Sequence, residues 1–297
     1  MQVLIQNYAT SRSTEPLYFS ETLNEVGVRA ILWQNPEVGA FDMFDTVQPS
    51  LFVTNYKLIT NDIIKYLATN PGIDCVINVT DATQQHIDTV VSVFANNRIS
   101  CPFMFTNYPK ELNTLIGSTI PIVSIMHGVD CYLPSQNIDI PDYNIQLGVF
   151  TDTPESASIN EVTNGIDTYH KISYEEDSQG GDIIAPAMHL YPLFGKYDQC
   201  VIIEEDYVPQ SFFDSLFYGN ETYLISKLKP LKSMGLPDNI LRGDSSPLPS
   251  VGEVDFTSIK ATVRDKHTCH NRVSSILDNL KCSDLSKKVH KLKEALV

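Results

Sequence analysis

Residues 200–226 read CVIIEEDYVPQSFFDSLFYGNETYLIS. A β-branched run, Val201-Ile202-Ile203, breaks off into three acids, Glu204-Glu205-Asp206. Pro209 then opens a segment whose apolar positions Phe212, Phe213, Leu216 and Phe217 have helical spacing. Gly219 stands where a helix stop with φ > 0 is expected, and Tyr223-Leu224-Ile225 begins a further strand. The unit is therefore strand, acidic corner, helix, strand. Asp206 lies at the carboxyl end of the first strand and Asp214 lies eight positions on, in the helix. In an open parallel sheet that end of the strands is where ligands bind. From the spacing alone a solvated loop acid and a solvated helix acid are the favoured reading, so a functional role needs support from elsewhere in the chain.

The rest of the chain repeats this grammar. Apolar strand runs at residues 3–5, 28–33, 51–53, 73–79, 101–106 and 120–126 alternate with helical patterns at 17–26, 41–47, 61–69 and 82–97. Thr80 or Asp81 is expected to cap the last of these helices, with Gln84 close to the capping-box position. Residues 131–144, broken by Pro134 and Pro141, read as a linker. A second set follows, with strands at 145–150, 169–174, 183–184, 201–203 and 223–225 and a helix at 187–197. Residues 227–253, with four prolines, read as irregular. Order is expected to return at His267 with two amphipathic helices, one through Val273, Ile276, Leu277 and Leu280 and one through Leu285, Val289, Leu292 and Leu296. Alternation of this kind specifies an α/β chain with two doubly wound, Rossmann-like domains and a C-terminal helical tail. The expected boundaries are 1–134, 145–265 and 266–297, the last able to fold back on the first.

Composition narrows the function. The 297 residues carry 21 Lys+Arg against 36 Asp+Glu, a net charge of −15. This disfavours nucleic acid, which is held through neutralised phosphates, although a local basic patch such as Lys281, Lys287, Lys288, Lys291 and Lys293 survives inside the acidic chain. As a solvated face that patch needs no partner. Six scattered cysteines form no CxxC pair, and His267, Cys269 and His270 lack a fourth neighbour, so no metal site is expected. Neither a signal peptide nor a membrane-length apolar run is present, which makes a cytoplasmic location the expectation. The motifs GxGxxG, GxxxxGK[ST] and GxSxG are absent, which excludes the commonest dinucleotide, nucleoside-triphosphatase and serine-hydrolase signatures.

Two further loops lie at expected carboxyl edges. Residues 7–14 follow the first strand, and their one basic residue, Arg12, is suited to a phosphate or an acceptor. IPIVSIMHGVD, residues 120–130, ends a buried strand in His127 and Gly128, exposing imidazole and backbone at the rim.

The strand ending in HGVD, together with the strand, acid, seven residues, acid and glycine turn of 203–219, resembles the GT-B type glycosyltransferases that use nucleotide sugars. The tail KHTCHNRVSSILDNL is similar to the closing helix of the spore-coat maturation type. The resemblance implies a glycosyltransferase whose substrate is a nucleotide sugar, with no permanently bound cofactor and no required divalent metal. It implies that His127 and Asp206 flank the transferring sugar. It further implies that Asp214 with Gln210 and Ser211 holds the donor ribose side, and that the turn with Gly148, Thr151 and Thr153 supplies donors to the diphosphate. Asn7, Tyr8, Arg12 and Asp130 would lie on the acceptor side. Both motif acids are Asp where the family has Glu, and the family's basic pair for the diphosphate has no clear counterpart; Lys196 is the best substitute, with a metal, Arg242 or the first domain as the other sources of positive charge. Two alternatives stay open: a viral-type enzyme glycosylating modified bases in DNA, and a catalytically silent GT-B-like binding or assembly subunit.

Overall fold

A computed structural model describes the chain except residues 10–12, 109, 111–112, 118, 133–145, 152–156, 165, 167–168, 174–182, 185–186, 204–207, 227–233, 243–246 and 297. It divides into two compact units. The first comprises Met1–Ala9, Glu15–Met126 and Cys269–Val297. The second comprises Thr10–Thr14 and His127–Thr268. His127 and Asp130 thus count with the second unit, and the last two helices with the first.

The first unit holds six parallel strands, β1 (Gln2–Gln6), β2 (Arg29–Trp33), β3 (Leu51–Asn55), β4 (Asp74–Asn78), β5 (Met104–Thr106) and β6 (Ile122–Ser124), in the order β2-β1-β3-β4-β5-β6. Val3, Leu4 and Ile5 of β1, an interior strand, are fully buried, as strands covered on both faces must be. Helices α1 (Glu15–Glu25), α2 (Ala40–Val47), α3 (Asn61–Thr69) and α4 (Gln84–Asn96) provide the crossovers. One core gathers Leu4, Phe44, Phe52, Leu67, Ile77 and Phe94. The cap of α4 is Thr83, not Thr80 or Asp81: its side chain accepts the His86 N–H while the His86 ring accepts the Thr83 N–H, so a histidine fills the place expected of Gln84.

The second unit pairs β7 (Leu147–Phe150), β8 (Tyr169–Ser173), β9 (Ile183–Ile184), β10 (Gln199–Ile203), β11 (Glu221–Ile225) and β12 (Leu241–Arg242), all parallel, in the order β12-β11-β10-β7-β8-β9. Its helices are α5 (Ala157–Val162), α6 (Ala187–Phe194), α7 (Gln210–Tyr218) and α8 (Phe256–Lys266). Helix α8 lies in a region read as irregular up to His267. Asp255 caps it through the Thr257 and Ser258 N–H groups, and Phe256, Ile259 and Val263 are its buried face. Gly219 ends α7 at φ −85°, not in the left-handed region. A glycine is required there by space: a Cβ would stand 2.6 Å from the Ser215 carbonyl and 3.2 Å from Phe194.

The closing helices are α9 (Cys269–Asn279) and α10 (Ser283–Leu296). In α10, Val289 is buried while Lys287, Lys288 and Lys291 face solvent, Lys287 lying 3.9 Å from Asp284. Among the described residues no helix is long and apolar enough to cross a membrane.

Candidate functional site

Strand order locates the ligand edge of each sheet. In the second, the order reverses between β7 and β10, which are neighbours with Gly148 opposite Cys200 and Phe150 opposite Ile202. The carboxyl ends of these two strands flank the crevice at which doubly wound sheets bind ligands. Thr151 follows β7 at this edge and is buried, its N–H donated to the Ile172 carbonyl at 3.0 Å. Asp206, Thr153 and Arg12 lie outside the described residues.

Two of the expected donor-side residues do not lie at the ligand edge. Gly148 sits within β7, its backbone paired on both sides. What it provides is space, because a Cβ would approach three ring carbons of Tyr197 to 2.6–2.9 Å. Lys196 follows α6 and precedes β10, so it lies at the amino edge of the sheet, opposite the ligand edge. Arg242 is a cation at the carboxyl edge: it ends β12, in register with Ile225 at the end of β11.

Helix α7 is buried nearly all round, polar positions included. The Gln210 side chain makes four hydrogen bonds there: its oxygen accepts from the Ser13 hydroxyl and the Thr14 N–H, both at 3.1 Å. Its amide nitrogen donates to the Thr14 hydroxyl at 3.0 Å and to Asp214 Oδ2 at 3.3 Å. Two lone pairs and two N–H groups are thereby used, leaving Gln210 nothing to offer a ligand. Ser211 beside it is also buried. Asp214, 4% exposed, accepts the Asp130 N–H on Oδ1 at 3.0 Å. Asp130 is held on every polar atom: Oδ2 accepts the Thr14 hydroxyl at 2.5 Å, Oδ1 accepts the Tyr132 N–H at 3.0 Å, and its carbonyl accepts the Tyr218 hydroxyl at 2.8 Å. His127, 6% exposed, begins the same turn. Val129 within the turn donates its N–H to the His267 carbonyl at 2.7 Å, while the His267 ring reaches the Met234 carbonyl and stacks on Phe213 of α7.

The environment of Asp214 sets its protonation. Burial drives its pKa well above the ordinary carboxylate value, and the neighbouring Asp130 carboxylate adds to this, with a smaller push from Cys131; the hydrogen bonds from Asp130 N–H and Gln210 act against them. A folded pKa above the unfolded value means that the native state holds the extra proton, so this group's stabilisation is fully present below about pH 4 and declines as pH rises through the raised native value. Asp214→Asn, which cannot titrate, is expected to remove that decline from the stability-against-pH curve measured by urea unfolding.

At the carboxyl edge of the first sheet, sequence reasoning overlooked an ion pair. Glu15, the first residue of α1, meets Arg272 of α9 at 2.5 Å, both about 2% exposed. Arg272 Nη1 donates to the Ile125 and Met126 carbonyls beyond β6, Nη2 also donates to Asn107 beyond β5, and the guanidinium lies 5.3 Å from the Phe105 ring centroid. Asn78, ending β4, donates to Glu15 Oε2 at 3.2 Å. Burial pushes the Arg272 pKa down, but Glu15, Tyr18 and Tyr8 together outweigh it and the pKa rises. The Tyr8 hydroxyl engages Glu15 and Asn78, and burial raises its pKa, with Glu15 adding to the rise. Asn7 accepts the Ala9 N–H at 3.0 Å. The signal that could have revealed the pair was Arg272 on the apolar stripe of α9, four residues before Ile276.

Two parallel sheets, each doubly wound and each with its own reversal point, define a two-unit Rossmann-like α/β protein. No family model matches the chain, and no curated protein matches it. Solved structures do match. The glycosyltransferase SnogD from Streptomyces nogalater aligns at 9% identity over 93% of this chain and 98% of its own, with a TM-score of 0.50. The spinosyn rhamnosyltransferase SpnG aligns at 10% identity over 100% and 96%, TM-score 0.44, and the glycosyltransferase SsfS6 from Streptomyces sp. SF2575 at 11% over 98% and 96%, TM-score 0.42. The fold is that of the GT-B glycosyltransferases.

Proposed function

We propose that the protein is a glycosyltransferase that moves a sugar from a nucleotide sugar to an acceptor. The observation that carries this reading is the second sheet's reversal point between β7 and β10, in a chain with the GT-B fold. In the reaction the bond between the anomeric carbon and the phosphate oxygen breaks, the diphosphate leaves with the electron pair, and the acceptor oxygen bonds to the anomeric carbon as it loses its proton. The leaving group gains negative charge, so cations and N–H donors near it lower the barrier. Asp206 and His127 are the groups proposed to flank the sugar, with Thr153 on the diphosphate side and Arg12 on the acceptor side. Arg242 takes the role that Lys196 was expected to play. The test is release of free nucleoside diphosphate from a panel of nucleotide sugars, with water as acceptor of last resort. Release from none of them would overturn the catalytic reading and leave a silent binding subunit.

The two cations separate cleanly. A charge-assisted contact to phosphate contributes about 1.5–3 kcal/mol, so Arg242→Ala is expected to weaken nucleoside diphosphate binding by about 10- to 100-fold. Lys196→Ala is expected to leave it unchanged, as measured by isothermal titration.

A further inference from the structure

We infer that Asp214 is a positioning residue for the His127–Asp130 turn, holding the Asp130 N–H and through it the backbone that aims His127, and is not a ligand for a donor hydroxyl. The inference rests on the proposed transferase reading only for its catalytic consequence. Its geometric ground lies wholly within the second unit. The turn HGVD has no helix or extended strand of its own; its one regular contact is the bridge of Val129 to Thr268. A turn so short is fixed by its hydrogen bonds, and here three of them come from helix α7 and from Thr14 beside it. Asp214 takes the Asp130 N–H, Tyr218 one turn along α7 donates to the Asp130 carbonyl, and Thr14 donates to the Asp130 carboxylate. Peptide groups on both sides of Asp130 are therefore clamped by side chains four apart on α7, the spacing that puts them on one helix face.

The chain Gln210 to Thr14 to Asp130 runs in one direction, each hydroxyl or amide donating to the next acceptor, and ends on the Asp130 carboxylate. Linked bonds of this kind reinforce one another away from water. Asp214 is bound to the same amide of Gln210. Loss of its acceptor would leave the Asp130 N–H buried without a partner, and the turn would have to shift to recover one. His127 stands three residues upstream with only Gly128 and Val129 between, so a shift of the turn passes to the imidazole.

The experiment uses the full chain, with histidine labelled by nitrogen-15 and the His127 ring resonances assigned from their loss in His127→Gln. Nucleoside diphosphate affinity is measured in parallel with UDP, ADP, GDP and dTDP. In Asp214→Ala the His127 resonances and apparent pKa should move, while affinity for whichever diphosphate binds the wild type stays within about twofold. Asp214→Asn keeps an oxygen for the Asp130 N–H and should restore the His127 signals. Tyr218→Phe removes the other clamp without touching Asp214 and should also move them, so the inference remains testable even if Asp214→Ala does not fold. Unchanged His127 signals in folded Asp214→Ala would overturn the inference, as would a tenfold or greater loss of diphosphate affinity with those signals in place. Failure of every diphosphate to bind wild type would instead overturn the transferase reading, and the His127 response would still decide the positioning role.

Discussion

Arg272→Ala is expected to destabilise the first unit by about 3–5 kcal/mol, the cost of leaving one member of a buried ion pair without its partner. Three things make this site severe. The Glu15 carboxylate would keep neutral donors, Tyr8, Asn78 and Asn107 among them, in place of a guanidinium. The Ile125 and Met126 carbonyls would lose the donor that closes the end of β6. Packing of the guanidinium against Phe105 would also go. Arg272→Lys keeps the charge but not the planar fork, and is expected to fall between. Glu15→Leu combined with Arg272→Met should cost less than either single charge deletion, because no unpaired charge then remains buried. Trp33, the protein's only tryptophan, is buried in the first unit and reports its unfolding in urea by fluorescence. A loss below about 1 kcal/mol for Arg272→Ala would mean that the pair contributes little.

Gly148→Ala is the second large effect, and its origin is steric. The new methyl carbon would meet Tyr197 at 2.6, 2.8 and 2.9 Å, and neither side can yield easily. Gly148 lies in a strand paired on both sides, and Tyr197 is fully buried, its hydroxyl 3.1 Å from His170 and its ring edge-on to Phe150. Overpacking of this kind costs about 1–3 kcal/mol. Thermal unfolding should fall by several degrees, roughly 2–4 °C for each kcal/mol in a domain of this size. Adding Tyr197→Leu makes room for the methyl, so the double variant should be more stable than the sum of the two single losses predicts. The same test separates packing from ligand contact, since a donor-binding glycine would change affinity and leave the melting temperature alone.

What the sequence disclosed, and what it withheld, follows from the range of the interactions. Alternating apolar runs with helix-period segments are local signals, and both parallel sheets were legible from them, including β10, α7 and β11 in the opening stretch. Helix α8 was hidden because its stripe of Phe256, Ile259 and Val263 is set among polar residues and follows a run of prolines and serines; the cap at Asp255 was its one clear mark. Roles that depend on contacts distant in sequence were less legible. Asp214 reads as a ligand-facing acid by spacing, yet its oxygen is taken by a backbone 84 residues away. Gly219 reads as a left-handed stop and is in fact a close approach to Phe194. Lys196 reads as a phosphate partner because it is one of few cations in its region, and only strand order shows that it lies at the amino edge. Arg272 and Glu15, 257 residues apart, give no joint signal beyond a charge on an apolar face.

Under the proposed function, the edge formed by β7 and β10 holds the diphosphate of a nucleotide sugar. Isothermal titration of the full chain with UDP, ADP, GDP and dTDP tests it most directly, repeated in Arg242→Ala. Binding of at least one of them, weakened about tenfold or more by that substitution, is the predicted result; no heat of binding from any of the four would contradict it.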